Sequence, residues 1–286
     1  MVDIQKIIGN TPLLKISDKI YAKLETYNPS GSIKDRMASY ILQKAEESGD
    51  LRRGYTIVEA SSGNTGIAFS MLAANKGYGC IIIMPRNMSE ERKQMMKSFG
   101  ARIIEVGDNA FKDAIKTRDD LVRNFSTYWS PMQFSNRYNI ECHEKTTGAE
   151  IDRQITDLGL EISALVTGSG TGGTIMGCTR HLGKLWKNMK TVLVRPYEPA
   201  ETHGIQGIND GADFLCDMSR VDEIIEIKTI EAKERARLLT RKNGLLVGIS
   251  SGANILAAEK WLQNNEVRGV VVTFLCDRGE RYLSCI

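Results

Sequence analysis

Histidine is nearly missing from this sequence. Only His143, His181 and His203 occur in 286 residues, too few and too separated for a metal centre. The six cysteines, Cys80, Cys142, Cys178, Cys216, Cys276 and Cys285, form no C-x-x-C pair, so neither a zinc site nor a disulfide framework is indicated. No local motif marks a His–Cys or His–Ser hydrolase. Charge of one sign is also lacking. The 38 Lys and Arg against 35 Asp and Glu leave +3, which gives no argument for nucleic acid or a membrane surface. No apolar run approaches the roughly 20 residues that span a bilayer. The opening MVDIQKIIGNTPLL has no signal-peptide core, so a cytoplasmic protein is the expectation. Neither a low-complexity linker nor a repeat of fixed period is visible.

What is present is an alternation of apolar strands and amphipathic helices. Strands are expected at 56–60, 80–84, 101–106, 164–168, 191–198, 223–228 and 269–277, and helices at 67–77, 89–100, 109–124 and 229–244. Such alternation with β-branched strands predicts parallel sheets covered on both faces. The βα units cluster around 56–125 and from 164 onward, which suggests two α/β halves. Ligands in such sheets favour the turns at the C-terminal ends of strands, so chemistry is expected in a cleft between the halves.

Four segments carry chemistry. In NPSGSIKDR (28–36), Ser32 is a plausible N-cap, which puts Lys34 in the first turn of a helix. There the helix dipole and burial would lower its pKa and suit a Schiff base. Taken alone, the segment favours a solvated lysine beside Asp35, since lysines are mostly exposed. In EASSGNTGIAF (59–69), hydroxyls, an amide and backbone N–H groups converge on a helix N-terminus, a cradle for a carboxylate or phosphate or simply a capped βα turn. TGSGTGGTIMG (167–177) is a phosphate-binding turn, its glycines letting the backbone approach an anion. Gly168, Gly170 and Gly173 also satisfy G-x-G-x-x-G, so an NAD(P)-binding oxidoreductase is an alternative class, with Glu198 as its acidic residue. LLVGISSGAN (245–254) reads as a strand, a serine pair and a helix, with Ser250 able to bond a heteroaromatic nitrogen or to cap the helix.

In this order and spacing, the four segments resemble the cysteine synthase and cystathionine β-synthase family of pyridoxal 5′-phosphate (PLP) enzymes. GNTPLL (9–14), PRNMSEERKQMMKSFGA (85–101), PMQFSN (131–136), HEKTTGAEI (143–151), GIQGI (204–208) and DRGERYLS (277–284) extend the resemblance over nearly the whole chain. It implies fold-type II, like the tryptophan synthase β chain: two α/β domains with mostly parallel sheets and an active site in the interdomain cleft. The expected division is a larger PLP-binding domain from 1–34 and 139–286 and a smaller, mobile substrate domain from 35–138.

By the same resemblance Lys34 would carry PLP as a Schiff base and act as general base. Asn64 would bond the ring hydroxyl, Gly170, Thr171, Gly172, Gly173 and Thr174 would hold the phosphate, and Ser250 would face the pyridine nitrogen. Ser61, Ser62, Thr65 and Gln133 would bind the carboxylate of an amino-acid substrate. The implied reaction is β-replacement by way of an aminoacrylate, with sulfide converting O-acetylserine to cysteine, in a homodimer. Related activities stay open: cystathionine β-synthase, use of O-phosphoserine or thiosulfate, and a cysteine lyase releasing hydrogen sulfide. The run after GIQGI, Asn209-Asp210-Gly211-Ala212-Asp213, departs from the small residues usual there. Asp210 is therefore a candidate for selecting the substrate or activating water, with a surface turn as the alternative. CDRG (276–279) leans toward the thiosulfate-using branch, though Cys276 also reads as a structural cysteine.

Overall fold

A computed structural model describes residues 3–199, 204–209 and 215–284. They divide into two compact units, a smaller one from 3–8 and 28–138 and a larger one from 9–27 and 139–284. The chain opens in the larger unit with a hairpin of β1 (Leu13–Lys15) and β2 (Ile20–Leu24). The sequence reading placed no strand here, because Lys23 interrupts the apolar run. Lys23 is nevertheless fully buried, donating to Thr11 O at 2.5 Å and Gln154 Oε1 at 3.0 Å and pairing with Glu150 at 2.8 Å.

The smaller unit begins with α1 (Lys34–Ser48). β3 (Thr56–Ala60), α2 (Asn64–Lys76), β4 (Gly79–Pro85), α3 (Glu90–Ser98), β5 (Arg102–Val106), α4 (Phe111–Asn124) and β6 (Tyr128–Trp129) follow. Its four strands form a wholly parallel sheet in the order β5-β4-β3-β6. Successive strand residues face opposite sides. Ile57 and Ile82 pack with Ile41 and Leu42 of α1 and Ile67, Phe69 and Leu72 of α2. Val58, Ile81 and Ile83 pack on the other face against Ala114 and Ile115 of α4. Each such Ile, Leu or Phe removed from water contributes about 1.5–3 kcal/mol, which is why β3 and β4 read as continuous apolar runs.

The chain returns to the larger unit through α5 (Tyr138–His143), a wider π-type turn (Glu144–Gly148) and α6 (Ala149–Asp157). β7 (Ile162–Gly168), α7 (Gly173–Leu185), β8 (Lys190–Pro196), β9 (Glu223–Ile227), α8 (Thr229–Asn243), α9 (Ile249–Asn264) and β10 (Val270–Leu275) complete it. Its sheet has the order β1-β2-β10-β7-β8-β9, parallel throughout except at β1. Among the described residues no helix is long and apolar enough to cross a membrane.

The α/β class with two mostly parallel sheets is thus as the sequence implied, and each of the seven expected strands lies within two residues of an observed one. Two details differ. The segment 245–248 is no strand; only Val247 makes a single bridge, to Arg278, because the chain there merely turns from α8 into α9. Residues 3–8 and 28–34, expected in the larger domain, group with the smaller unit. The turn ahead of α1 is tied to that helix by Ser30, whose N–H and hydroxyl both bond the buried Asp35 carboxylate.

Candidate active site

In the smaller unit, the expected residues gather at helix starts. Lys34 is the first residue of α1 and is half-buried. Ser32 does cap the turn, its Oγ accepting the Lys34 N–H at 3.3 Å, although helical geometry already begins at Ile33. Asn64 is the first residue of α2 and is also half-buried.

Between β3 and α2 runs the Ser-Ser-Gly-Asn-Thr-Gly turn. The buried Ser61 closes it, its Oγ accepting from the N–H groups of Gly63 at 3.2 Å and Gly66 at 2.9 Å. Ser62 faces outward, and its carbonyl accepts from Nη1 of the buried Arg92 at 3.0 Å. Thr65 is buried, and its hydroxyl donates to Gln133 Oε1 at 2.6 Å. The structure thus brings Thr65 and Gln133, 68 residues apart, into direct contact.

Gln133 is fixed at both ends. Its side-chain amide donates to Ala60 O at 3.1 Å, and its backbone N–H donates to Glu59 Oε2 at 3.1 Å. Glu59 lies wholly buried in β3, and its Oε1 accepts from Ala60 N at 2.8 Å and Arg118 Nη1 at 3.2 Å. Burial pushes the Glu59 carboxyl up, while Arg118 and the two backbone N–H groups pull it back down. Sequence reasoning gave no role to Glu59, Arg92 or Arg118. Their only signals were a glutamate ending an apolar strand and an arginine in the SEERKQMMKSFG segment.

In the larger unit, β7 runs into the Gly-rich turn and α7. The helix ladder opens with Met176, whose N–H donates to Gly172 O at 3.0 Å, so the amides ahead of it lie at the helix N-terminus. Gly172 has φ 91, and a Cβ there would collide with the backbone of Leu215 and Cys216. A Cβ on Gly173 would collide with the Asn139 side chain. Only glycine therefore lets the turn lie flat against these neighbours and present backbone amides. Asn139 Nδ2 donates to Thr171 Oγ1 at 2.9 Å, and the Thr174 hydroxyl lies 3.3 Å from Nε2 of the buried His143.

Ser250 is buried in the first turn of α9. One helical turn later, Asn254 Oδ1 accepts from Gly168 N at 2.9 Å, and its Nδ2 donates to Phe274 O at 3.1 Å. Asn254 thereby joins the start of the phosphate turn to α9 and β10. Asn209 N donates to Ser169 O at 2.8 Å, bringing the GIQGI segment to the same turn. Cys276 is structural in its contacts: its N–H donates to Ser251 Oγ at 2.9 Å and its Sγ takes Asn254 Nδ2 at 3.4 Å. Asp210 lies outside the described residues.

The donor sets fit PLP. Main-chain amides at a helix N-terminus and two threonine hydroxyls suit a phosphate, with no carboxylate in 168–174 to repel it. A lysine amine suits an aldehyde, and a serine hydroxyl suits a pyridine nitrogen. The fit to a dinucleotide is poorer, because the Glu198 carboxylate is engaged by the N–H of Thr229 at 2.9 Å and its hydroxyl at 3.0 Å.

Comparison with known proteins agrees. Residues 4–277 match the family described as pyridoxal-phosphate dependent enzyme. A cysteine synthase of Staphylococcus aureus is 39% identical over 301 residues, covering 99% of this chain and 95% of its own. A hydrogen sulfide-producing enzyme of Fusobacterium nucleatum superposes with a TM-score of 0.93 at 38% identity, covering 99% of this chain and 90% of its own. An O-acetylserine dependent cystathionine β-synthase of Helicobacter pylori superposes with a TM-score of 0.92 at 32% identity, covering 99% of this chain and 98% of its own. With the oxidoreductase alternative thereby set aside, the chain belongs to the pyridoxal-phosphate dependent enzyme family, as a cysteine synthase-like member that takes PLP as its cofactor.

Proposed function

We propose that this enzyme forms L-cysteine from O-acetyl-L-serine and sulfide, by β-replacement. Support comes from the Thr65–Gln133 pair, a buried, prearranged amide and hydroxyl beside a helix N-terminus, which is chemistry for an amino-acid carboxylate. The full-length likeness to a cysteine synthase supports the same reading.

In this reading each unit carries donors suited to PLP or to its amino-acid substrate. Bound PLP supplies the electron sink that makes the substrate's α-proton acidic. Gly170, Thr171, Gly172, Gly173 and Thr174 hold its phosphate, and Asn64 bonds its ring hydroxyl. Lys34 anchors it and, as a free amine, takes the proton from the substrate Cα. Ser250 is a neutral partner for the ring nitrogen. With Ser250 rather than a carboxylate as that partner, bound PLP would be a weaker electron sink, which would favour loss of the β-acetoxy group together with the α-proton. Ser61, Ser62, Thr65 and Gln133 orient the carboxylate, so that the Cα–H bond faces Lys34. The working assembly in this reading is a cytoplasmic homodimer.

The test is product formation. Purified holoenzyme given O-acetyl-L-serine and sulfide is expected to release cysteine and acetate in equal amounts, and Lys34→Ala to release neither. The likeness to a hydrogen sulfide-producing enzyme supports a second reading, in which cysteine is the substrate and sulfide the product. Sulfide release from cysteine alone, with no turnover of O-acetylserine, would decide for that reading, and Asp210 is then the first residue to substitute.

A further inference from the structure

We propose that Glu59 and Arg118 are positioning residues, a buried ion pair that sets Gln133 and through it the carboxylate-binding turn. The proposal rests on the reading of Thr65 and Gln133 as carboxylate-binding residues.

A central strand of a parallel sheet is served by Val or Ile, and a buried carboxylate there is costly unless paired and hydrogen-bonded. Glu59 is wholly buried in β3, one residue before the strand ends. Its hydrogen bonds lead to the site. Oε2 takes the Gln133 N–H at 3.1 Å, and Oε1 takes Ala60 N at 2.8 Å, the same residue whose carbonyl receives the Gln133 amide at 3.1 Å. Main chain and side chain of Gln133 are thereby fixed to one strand end, leaving Oε1 aimed at the Thr65 hydroxyl.

The backbone supplies an independent sign. Met132, immediately before Gln133, has φ 50, a left-handed conformation that a non-glycine residue holds only when its surroundings enforce it. Its carbonyl accepts from the N–H groups of Ser135 and Asn136, both at 3.0 Å. Met132 is 43% exposed, and its own N–H donates to Ser130 Oγ at 3.3 Å. The next N–H, that of Gln133, turns inward to Glu59 and ties this bend to the strand end.

Arg118 reaches Glu59 from α4 with its side chain 5% exposed, and its Nη2 also bonds Asp119 at 2.7 Å. It supplies the positive charge that favours the ionised carboxylate against the cost of burial. Neither residue is placed to touch substrate. Both act through Gln133.

The experiment compares Gln133→Ala, Arg118→Lys and the double variant Glu59→Gln/Arg118→Met as holoenzymes. The double variant leaves no unpaired buried charge. Three quantities are read: the Kd for O-acetyl-L-serine from the change in cofactor absorbance, the KM for sulfide, and hydrogen exchange of the Gln133 amide without substrate. The double variant is expected to weaken O-acetyl-L-serine binding about tenfold, the loss expected for one well-placed hydrogen bond. It is also expected to expose the Gln133 amide to exchange and leave the sulfide KM unchanged, with Arg118→Lys intermediate. Wild-type affinity and protection in both Arg118→Lys and the double variant, with Gln133→Ala weakened, would overturn the proposal while sparing the carboxylate site. Wild-type affinity in Gln133→Ala would overturn the carboxylate reading itself. If the double variant does not fold, Arg118→Lys decides alone: unchanged Gln133 exchange and unchanged affinity reject the proposal.

Discussion

The Thr65 hydroxyl donates to Gln133 Oε1 at 2.6 Å, with both residues buried in the smaller unit. The Gln133 side-chain amide donates in turn to Ala60 O at 3.1 Å, so the pair is held to the end of β3. Thr65→Val keeps the shape and removes the donor. It is expected to weaken O-acetyl-L-serine binding by about 1–1.5 kcal/mol, roughly tenfold, and to lower the melting temperature by a few degrees because the buried Gln133 Oε1 loses this donor. Absorbance titration and a thermal scan measure both.

At Gly172 the constraint is backbone. With φ 91 and neighbours that a Cβ would strike, Gly172→Ala carries the left-handed penalty of about 1–2 kcal/mol plus a collision. The turn is expected to shift and release the phosphate. PLP retained after dialysis should fall well below one per chain, while the secondary structure, read by circular dichroism, stays intact.

Lys23 tests the larger unit by itself. Its ammonium is fully buried and pairs with Glu150 at 2.8 Å. Lys23→Met leaves that carboxylate without its cation and is expected to cost about 3–5 kcal/mol in urea unfolding. Adding Glu150→Gln should recover most of the loss.

Cys80 sets an alkaline limit. Burial pushes its thiol up to about 12 from an ordinary 9.0, with Ser70 Oγ at 3.7 Å opposing the shift slightly. The thiolate therefore forms first in the unfolded chain. The stabilising effect is complete below the ordinary value and is lost as pH rises toward the folded one, by up to about 1.4 kcal/mol per pH unit. Stability measured from pH 8 to 11 should fall less steeply in Cys80→Ala. In the native protein at pH 8, Cys80 should resist alkylation.

The contrast between legible and hidden residues follows sequence distance. The helix-start positions of Asn64 and of the 170–174 turn were readable because a strand, a turn and a helix start lie together in the chain, and that of Lys34 because the turn 28–33 runs straight into α1. The parallel sheets were readable because β3 and β4 are apolar on both faces. Glu59 was not, since its partners Arg118 and Gln133 stand 59 and 74 residues away. Asn254 escaped for the same reason, its partner Gly168 being 86 residues distant. β2 escaped because a buried lysine looks like a surface one until its acceptors are known. The strand expected at 245–248 shows the opposite error: a short apolar run between two helices can be a connection.

The pairing of β2 with β10 has a consequence for how the protein is made. Ile20–Leu24 acquires its parallel neighbour only from Val270–Leu275, near the other end of the chain. The sheet of the smaller unit, by contrast, uses strands that lie entirely between 56 and 129. A nascent chain can therefore complete that sheet while the ribosome is still translating the other. At ~5–20 residues per second, the N-terminal hairpin waits tens of seconds with an unpaired edge. During that interval the unpaired edge is open to aggregation and to capture by chaperones.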